Sequence, residues 1–182
     1  MALLNTPDVN FGWKAADFTL KDPSGALHSM AGTLTDKGLT IAFVCNHCPY
    51  VKAIGDRLAT DFAELQAAGI GVLAVMSNDY RMVPSDGPEY MAQFAVQHGW
   101  TFPYLVDEDQ SVGQTYGAVC TPDFFGFNGA GELQYRGRLD DAAMGGGEGR
   151  TRELVPAMLQ IAETGQGPDG QIPSMGCSIK WR

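Results

Sequence analysis

The residues best suited to chemistry are Cys45 and Cys48, in the run Cys45-Asn-His-Cys48-Pro49. Two thiols three positions apart in a first helical turn can approach disulfide distance. A thiolate is the reactive form of cysteine, and a helix N-terminus, with unpartnered N–H groups and a dipole that favours negative charge, stabilises it. Pro49 fits such a turn because the first helical position needs no N–H donor. The expected chemistry is a reversible Cys45–Cys48 disulfide, with Cys45 as the outer, attacking thiol and Cys48 as the resolving one.

Neighbouring elements must place the pair there. Leu39 to Val44 is an apolar run rich in β-branched and aromatic residues, which predicts a strand buried on both faces of a sheet. Val51, Ile54, Leu58, Phe62 and Leu65 then recur at helical spacing, and Gly69 supplies a stop. Ile70 to Met76 predicts a second parallel strand, and a right-handed strand–helix–strand unit follows. Reactive groups of such a unit belong at the carboxyl ends of its strands, where Cys45 lies.

Composition narrows the class. The chain has 182 residues, 45% hydrophobic and 18% charged, with a net charge of −9, enough for one domain with a substantial core. It lacks a basic run, so neither nucleic acid nor an anionic membrane is an expected partner. Its beginning, Met-Ala-Leu-Leu-Asn-Thr-Pro-Asp, has no charged segment leading into a long apolar one, so a cytoplasmic location is expected. In a reducing compartment, four cysteines read as thiols or catalytic pairs rather than structural staples.

Elsewhere, residues 17–30 predict a hairpin around Asp22-Pro-Ser-Gly25. Asp86-Gly-Pro-Glu89 starts a helix that Gly99 ends, Phe102 to Val106 is a short extended segment, and residues 110–117 form a short helix or turn. Phe124 to Phe127 and Glu132 to Arg138 predict an antiparallel pair. Residues 140–150 form a glycine-rich loop expected to be mobile, Leu154, Met158 and Ile161 mark a last helix, and residues 165–182 read as an irregular tail of one domain, 1–182.

The Cys-x-x-Cys-Pro motif, between a central strand and a helix, resembles the thioredoxin superfamily. Asn46-His-Cys-Pro-Tyr-Val51, Tyr116-Gly-Ala-Val-Cys-Thr-Pro-Asp-Phe-Phe125, Tyr135-Arg-Gly-Arg-Leu-Asp-Asp141 and Pro173-Ser-Met-Gly-Cys-Ser-Ile-Lys-Trp181 extend this to nearly the whole chain. Together they resemble a bacterial peroxiredoxin-like subgroup of the alkyl hydroperoxide reductase/thiol-specific antioxidant (redoxin) superfamily. The resemblance implies a thioredoxin-like α/β fold: a central mixed sheet with helices on both faces and an N-terminal hairpin. It also implies a cis bond before Pro122 and a Thr121 backbone able to pair with a substrate strand. The sequence departs from thioredoxin in having Val44 before the first cysteine and no buried aspartate in Leu39–Val44. Peroxiredoxins carry threonine three residues before the peroxidatic cysteine, a place that Cys45 holds relative to Cys48.

These features support a thiol-disulfide oxidoreductase that needs no cofactor or metal. Its partners would be a protein or small-molecule disulfide and an external thiol reductant. The alternatives are a thiol-dependent peroxidase and a metal- or partner-binding module without turnover. Zinc would need two more ligands from Cys120, Cys177, His28, His47 or His98, and no second Cys-x-x-Cys exists. His47 is expected to tune the Cys45 thiolate. Cys120 is either a small core residue or a third thiol near Cys48. Cys177 is either tucked against the body, with Ile179 and Trp181 pinning the tail, or a resolving thiol. Glu89 reads as a first-turn charge, Arg138 as a solvated strand residue and Gly145 to Gly147 as a flexible loop.

Overall fold

The computed structural model describes residues 2–182; Met1, the first residue of the predicted domain, lies outside them. Strand β1 (Leu3–Asn5) precedes the hairpin of β2 (Thr19–Lys21) and β3 (Leu27–Ser29). The hairpin turns because Asp22 Oδ1 accepts from the amides of Ser24 (2.8 Å) and Ala26 (3.1 Å), while Gly25 takes φ +91°. A short helix α1 (Met30–Thr33) leads to β4 (Leu39–Phe43), α2 (Pro49–Ala67) and β5 (Gly71–Met76). A 3-10 turn, Pro84–Asp86, precedes α3 (Pro88–Gln97), β6 (Tyr104–Val106) and α4 (Ser111–Tyr116). Next come β7 (Cys120–Thr121), β8 (Asp123–Phe127), β9 (Leu133–Gly137), α5 (Leu154–Thr164) and β10 (Met175–Ser178).

The main sheet has the order β3-β2-β6-β5-β4-β8-β9, with β4, β5 and β6 parallel and the other pairs antiparallel. Strand β4 is buried throughout, and its side chains alternate between two cores. Ala42 faces α2, α3 and α5, whereas Ile41 and Phe43 face α4 and Trp13. The helical stripe of α2 is wholly on the inner face, and each of Leu58, Phe62 and Leu65 contributes roughly 1.5–3 kcal/mol by leaving water. This is the mixed sheet with helices on both faces that the resemblance implied.

Two expectations are corrected. The tail is not irregular throughout, because β10 runs antiparallel between β1 and β7, pairing Leu3 with Cys177 and Cys177 with Thr121. Gly176 permits this approach, since a Cβ there would collide with the Thr121 carbonyl oxygen. The loop at 140–150, expected to be mobile, is pinned: Arg57 donates to Ala143 O (2.7 Å), and Arg150 bridges Asp140 (2.7 Å) and the buried Asp61 (2.6 Å).

Candidate active site

The cysteines gather where β4 ends. Val44 N still donates to Val75 O (3.0 Å), after which the chain leaves the sheet and Cys45 follows. Cys48 is the N-cap of α2 and Pro49 its first residue, so the helix terminus acts on Cys48 rather than Cys45. The Thr121–Pro122 peptide bond is cis, and Thr121 lies across both sulfurs. Its hydroxyl is 3.2 Å from Cys45 Sγ and its carbonyl oxygen 3.2 Å from Cys48 Sγ. Cys177 Sγ is 2.9 Å from Cys48 Sγ, within hydrogen-bond reach and closer than ordinary van der Waals contact between sulfurs. All four cysteines are free thiols and buried.

Charge is distributed unevenly over this row. A hydrogen bond from the Cys45 thiol is the largest influence on Cys48 and, against the cost of burial, brings its pKa down to about 5; the Cys177 thiol and the amides of Val51 and Cys177 add to it. Burial raises the Cys45 pKa well above its ordinary value, reinforced by Cys48 and by the Asp86 carboxylate and opposed by the Thr121 hydroxyl. Burial and the Cys48 neighbour push Cys177 up to about 12. The motif alone suggests the depressed pKa on Cys45, the outer thiol. The depression falls on Cys48 because the Cys45 thiol, then the Cys177 thiol and the amides of Val51 and Cys177, donate to it, whereas Cys45 is buried and faces the Asp86 carboxylate.

Behind the cysteines stands a carboxylate that the sequence reading noted only as a helix-start residue. Asp86 is fully buried, and its Oδ1 accepts from the amides of Asn46 (2.8 Å) and His47 (3.0 Å). Its Oδ2 lies 2.6 Å from His47 Nδ1 and accepts from Asn78 Nδ2 (2.9 Å). His47 Nδ1 is also 3.5 Å from Cys45 Sγ, so its shorter contact is with the carboxylate. Tyr104 donates to Asn46 Oδ1 (3.0 Å) and completes the support of the loop. Asp86 was missed because its partners are about forty positions away; the Pro-Ser-Asp-Gly-Pro run signals a turn, not a destination.

The other candidates divide. Cys120 is buried, and its sulfur's one polar contact among the described residues is Pro122 O at 3.9 Å; burial and then Asp123 raise its pKa to about 12, as expected of a core thiol. Ile179 is buried and Trp181 packs on the α4 face. Glu89 is exposed, and Asp79 is buried beside Arg182. Arg138 is held by Glu153 (2.6 Å) and is partly buried rather than solvated. His28 and His98 pair with Asp22 and Asp56, away from the cysteines. Cys45, His47 and Asp86 offer three donor atoms within 4.8 Å of one another, but the His47 and Asp86 atoms already satisfy each other, so a metal ion would have to break that pair. A pocket of about 340 Å³ opens beside Pro122, between Tyr50 and Met175. A larger one, about 790 Å³, lies under the hairpin and contains none of the cysteines.

The profile described as the AhpC/TSA family matches residues 11–136, from before the hairpin into β9. The chain belongs to the AhpC/TSA family. Within this family setting, it is 36% identical to a hypothetical protein from Sinorhizobium meliloti 1021 whose crystal structure superposes with a TM-score of 0.92, covering 98% of each chain. It is 26% identical over 123 residues to the thiol-disulfide oxidoreductase ResA of Halalkalibacterium halodurans; the match spans 67% of this chain and 65% of that protein. The thioredoxin domain of a thiol-disulfide oxidoreductase from Bacteroides vulgatus, 14% identical, superposes with a TM-score of 0.60 over 71% of this chain and 89% of its own. The AhpC/TSA chain therefore has a thioredoxin-like fold.

Proposed function

We propose that this protein is a thiol-disulfide oxidoreductase working through a Cys45–Cys48 dithiol/disulfide couple, with an external thiol to reset it. The observation that carries this reading is the span of Thr121 across both sulfurs, its hydroxyl 3.2 Å from Cys45 Sγ and its carbonyl oxygen 3.2 Å from Cys48 Sγ. The lowered pKa of Cys48 beside the raised pKa of Cys45 favours the charge on Cys48 in the resting dithiol. When the proton passes from Cys45 to Cys48, the Thr121 hydroxyl can donate to the new Cys45 thiolate, and the Thr121 carbonyl can accept the Cys48 S–H. Cys48 is thus the general base that Leu39–Val44 lacks. Cys45, the more basic sulfur, is the stronger nucleophile once deprotonated.

The cycle then balances. Cys45 attacks a substrate disulfide, and the departing substrate thiolate takes the proton from Cys48. The Cys48 thiolate next attacks Cys45 Sγ of the mixed disulfide, the second substrate sulfur leaves as a thiolate that takes a proton from solvent, and Cys45–Cys48 is left oxidised. His47, oriented by Asp86, is a positioning residue beside Cys45. The pocket next to Pro122 suits an apolar substrate side chain, and a protein or small-molecule disulfide in the cytoplasm is the proposed substrate class. No helix among the described residues is long and apolar enough to cross a membrane. Insulin reduction by dithiothreitol tests turnover, and Cys48→Ser should trap a partner on Cys45; no acceleration and no trapped adduct would overturn the proposal.

A second reading, thiol peroxidase, is favoured by the acidity of Cys48 together with family membership. A peroxide would oxidise the Cys48 thiolate to sulfenic acid, leaving as alcohol or water, and Cys45 would condense with it to the same disulfide and water. Against it, Arg138 and Arg136 are already engaged by Glu153 and Asp123. Peroxide consumption in the presence of a thiol distinguishes the two.

A further inference from the structure

We propose that Cys177 is a third redox thiol of this site: Cys48 exchanges its disulfide partner between Cys45 and Cys177, and β10 is a tethered occupant of the edge where a substrate strand would pair. The proposal rests on the dithiol reading above and extends it to the tail.

Three observations place the tail in the site. Cys177 Sγ is 2.9 Å from Cys48 Sγ. The strand carrying it is in antiparallel register with β7, Cys177 opposite Thr121, so the backbone edge expected to receive a substrate is already filled by this chain. The tail is also wired to the pair from the other side: Lys180 N donates to Asn78 Oδ1 (2.8 Å), and Asn78 Nδ2 donates to the same Asp86 oxygen that holds His47. A strand on the substrate edge, with its cysteine sulfur against the redox pair, has the layout of a bound thiol substrate.

The step is a thiol–disulfide exchange that needs no added oxidant. Starting from oxidised Cys45–Cys48, the Cys177 sulfur attacks Cys48 Sγ. The Cys48–Cys177 bond forms as the Cys45–Cys48 bond breaks, the electron pair leaves on Cys45 Sγ, and the proton lost by Cys177 ends on Cys45. The oxidation level of the chain is unchanged. The disulfide now ties β10 to α2, and Cys45 is again a free thiol beside His47.

Peptide mapping reads this directly. Trypsin divides the cysteines among residues 38–52 (Cys45 and Cys48), 82–136 (Cys120) and 153–180 (Cys177). After oxidation by diamide and acid quenching, wild-type protein should yield a fraction of 38–52 covalently joined to 153–180, mapped by fragmentation to Cys48. Cys45→Ser should convert nearly all of the protein to that link as a monomer, and Cys177→Ser should keep its disulfide wholly within 38–52. If Cys177→Ser forms Cys45–Cys48 while neither wild type nor Cys45→Ser ever joins 38–52 to 153–180, the third-thiol proposal is overturned and the dithiol reading stands. If Cys177→Ser forms no disulfide either, the dithiol reading itself falls. Should Cys45→Ser fail to fold, the wild-type map alone decides.

Discussion

Cys177→Ala in the reduced protein is the most revealing single perturbation of the site's charge. The Cys48 pKa is lowered from 9.0 to about 5, with the Cys45 thiol as the strongest donor and the Cys177 thiol the next. A hydrogen bond to a charged acceptor is worth about 1.5–3 kcal/mol, and one pKa unit corresponds to about 1.4 kcal/mol, so losing the Cys177 donor should raise the apparent pKa by about 1–2 units. Cys45→Ala should raise it further. Ultraviolet thiolate absorbance against pH gives the macroscopic values of the coupled pair, and the pH dependence of alkylation, read by fragmenting peptide 38–52, assigns them. An unchanged titration in Cys177→Ala would refute the reasoning, as would an acidic thiol that survives Cys48→Ser. Linkage gives a companion effect. Folding depresses the Cys48 pKa, so its contribution is complete above pH 9.0 and is lost as pH falls towards about 5, with a limiting slope of about 1.4 kcal/mol per pH unit.

Other outcomes follow from the same contacts. Thr121→Val removes the hydroxyl facing Cys45 and should slow attack on a model disulfide by roughly 10–100-fold, a charged hydrogen bond's worth; stopped-flow measurement at an unchanged rate would exclude that role. Asp86→Ala strands the amides of Asn46 and His47, the Asn78 amide and the His47 ring, and should cost on the order of 3 kcal/mol or more in urea unfolding. A loss under about 1 kcal/mol would mean that these groups find other partners. Gly176→Ala drives a methyl into the Thr121 carbonyl, should cost about 1–3 kcal/mol, and should expose Cys48 to bulky maleimides; undiminished protection would show that β10 tolerates the side chain.

Local signals make most of the architecture legible in the sequence. The apolar run at Leu39–Val44, the helical stripe from Val51 to Leu65 and the Asp22-Pro-Ser-Gly25 turn each carry their own structure, so β4, α2 and the hairpin could be read directly. The two chain ends could not. Leu3–Asn5 and Met175–Ser178 are three and four residues long, and they are strands only because they lie against each other and, for the second, against Cys120–Thr121. A glycine- and proline-rich tail gives no sign of such a partner. The same holds for the site: Cys45 and Cys48 were visible from spacing, whereas Asp86 and the approach of Cys177 depend on contacts 39 and 129 positions apart in sequence. The misplaced pKa has the same origin: the donors that lower Cys48 include the Cys177 thiol and amide, which only the fold brings to it.

The central claim is that Cys45 and Cys48 exchange two electrons as a couple. The most direct measurement is equilibration of Cys177→Ser protein in glutathione buffers of graded potential, followed by acid quenching and mapping of peptide 38–52. The account predicts a reversible two-electron transition in which that peptide alone gains an internal disulfide; thiols at Cys45 and Cys48 that stay unjoined across the whole range would contradict it.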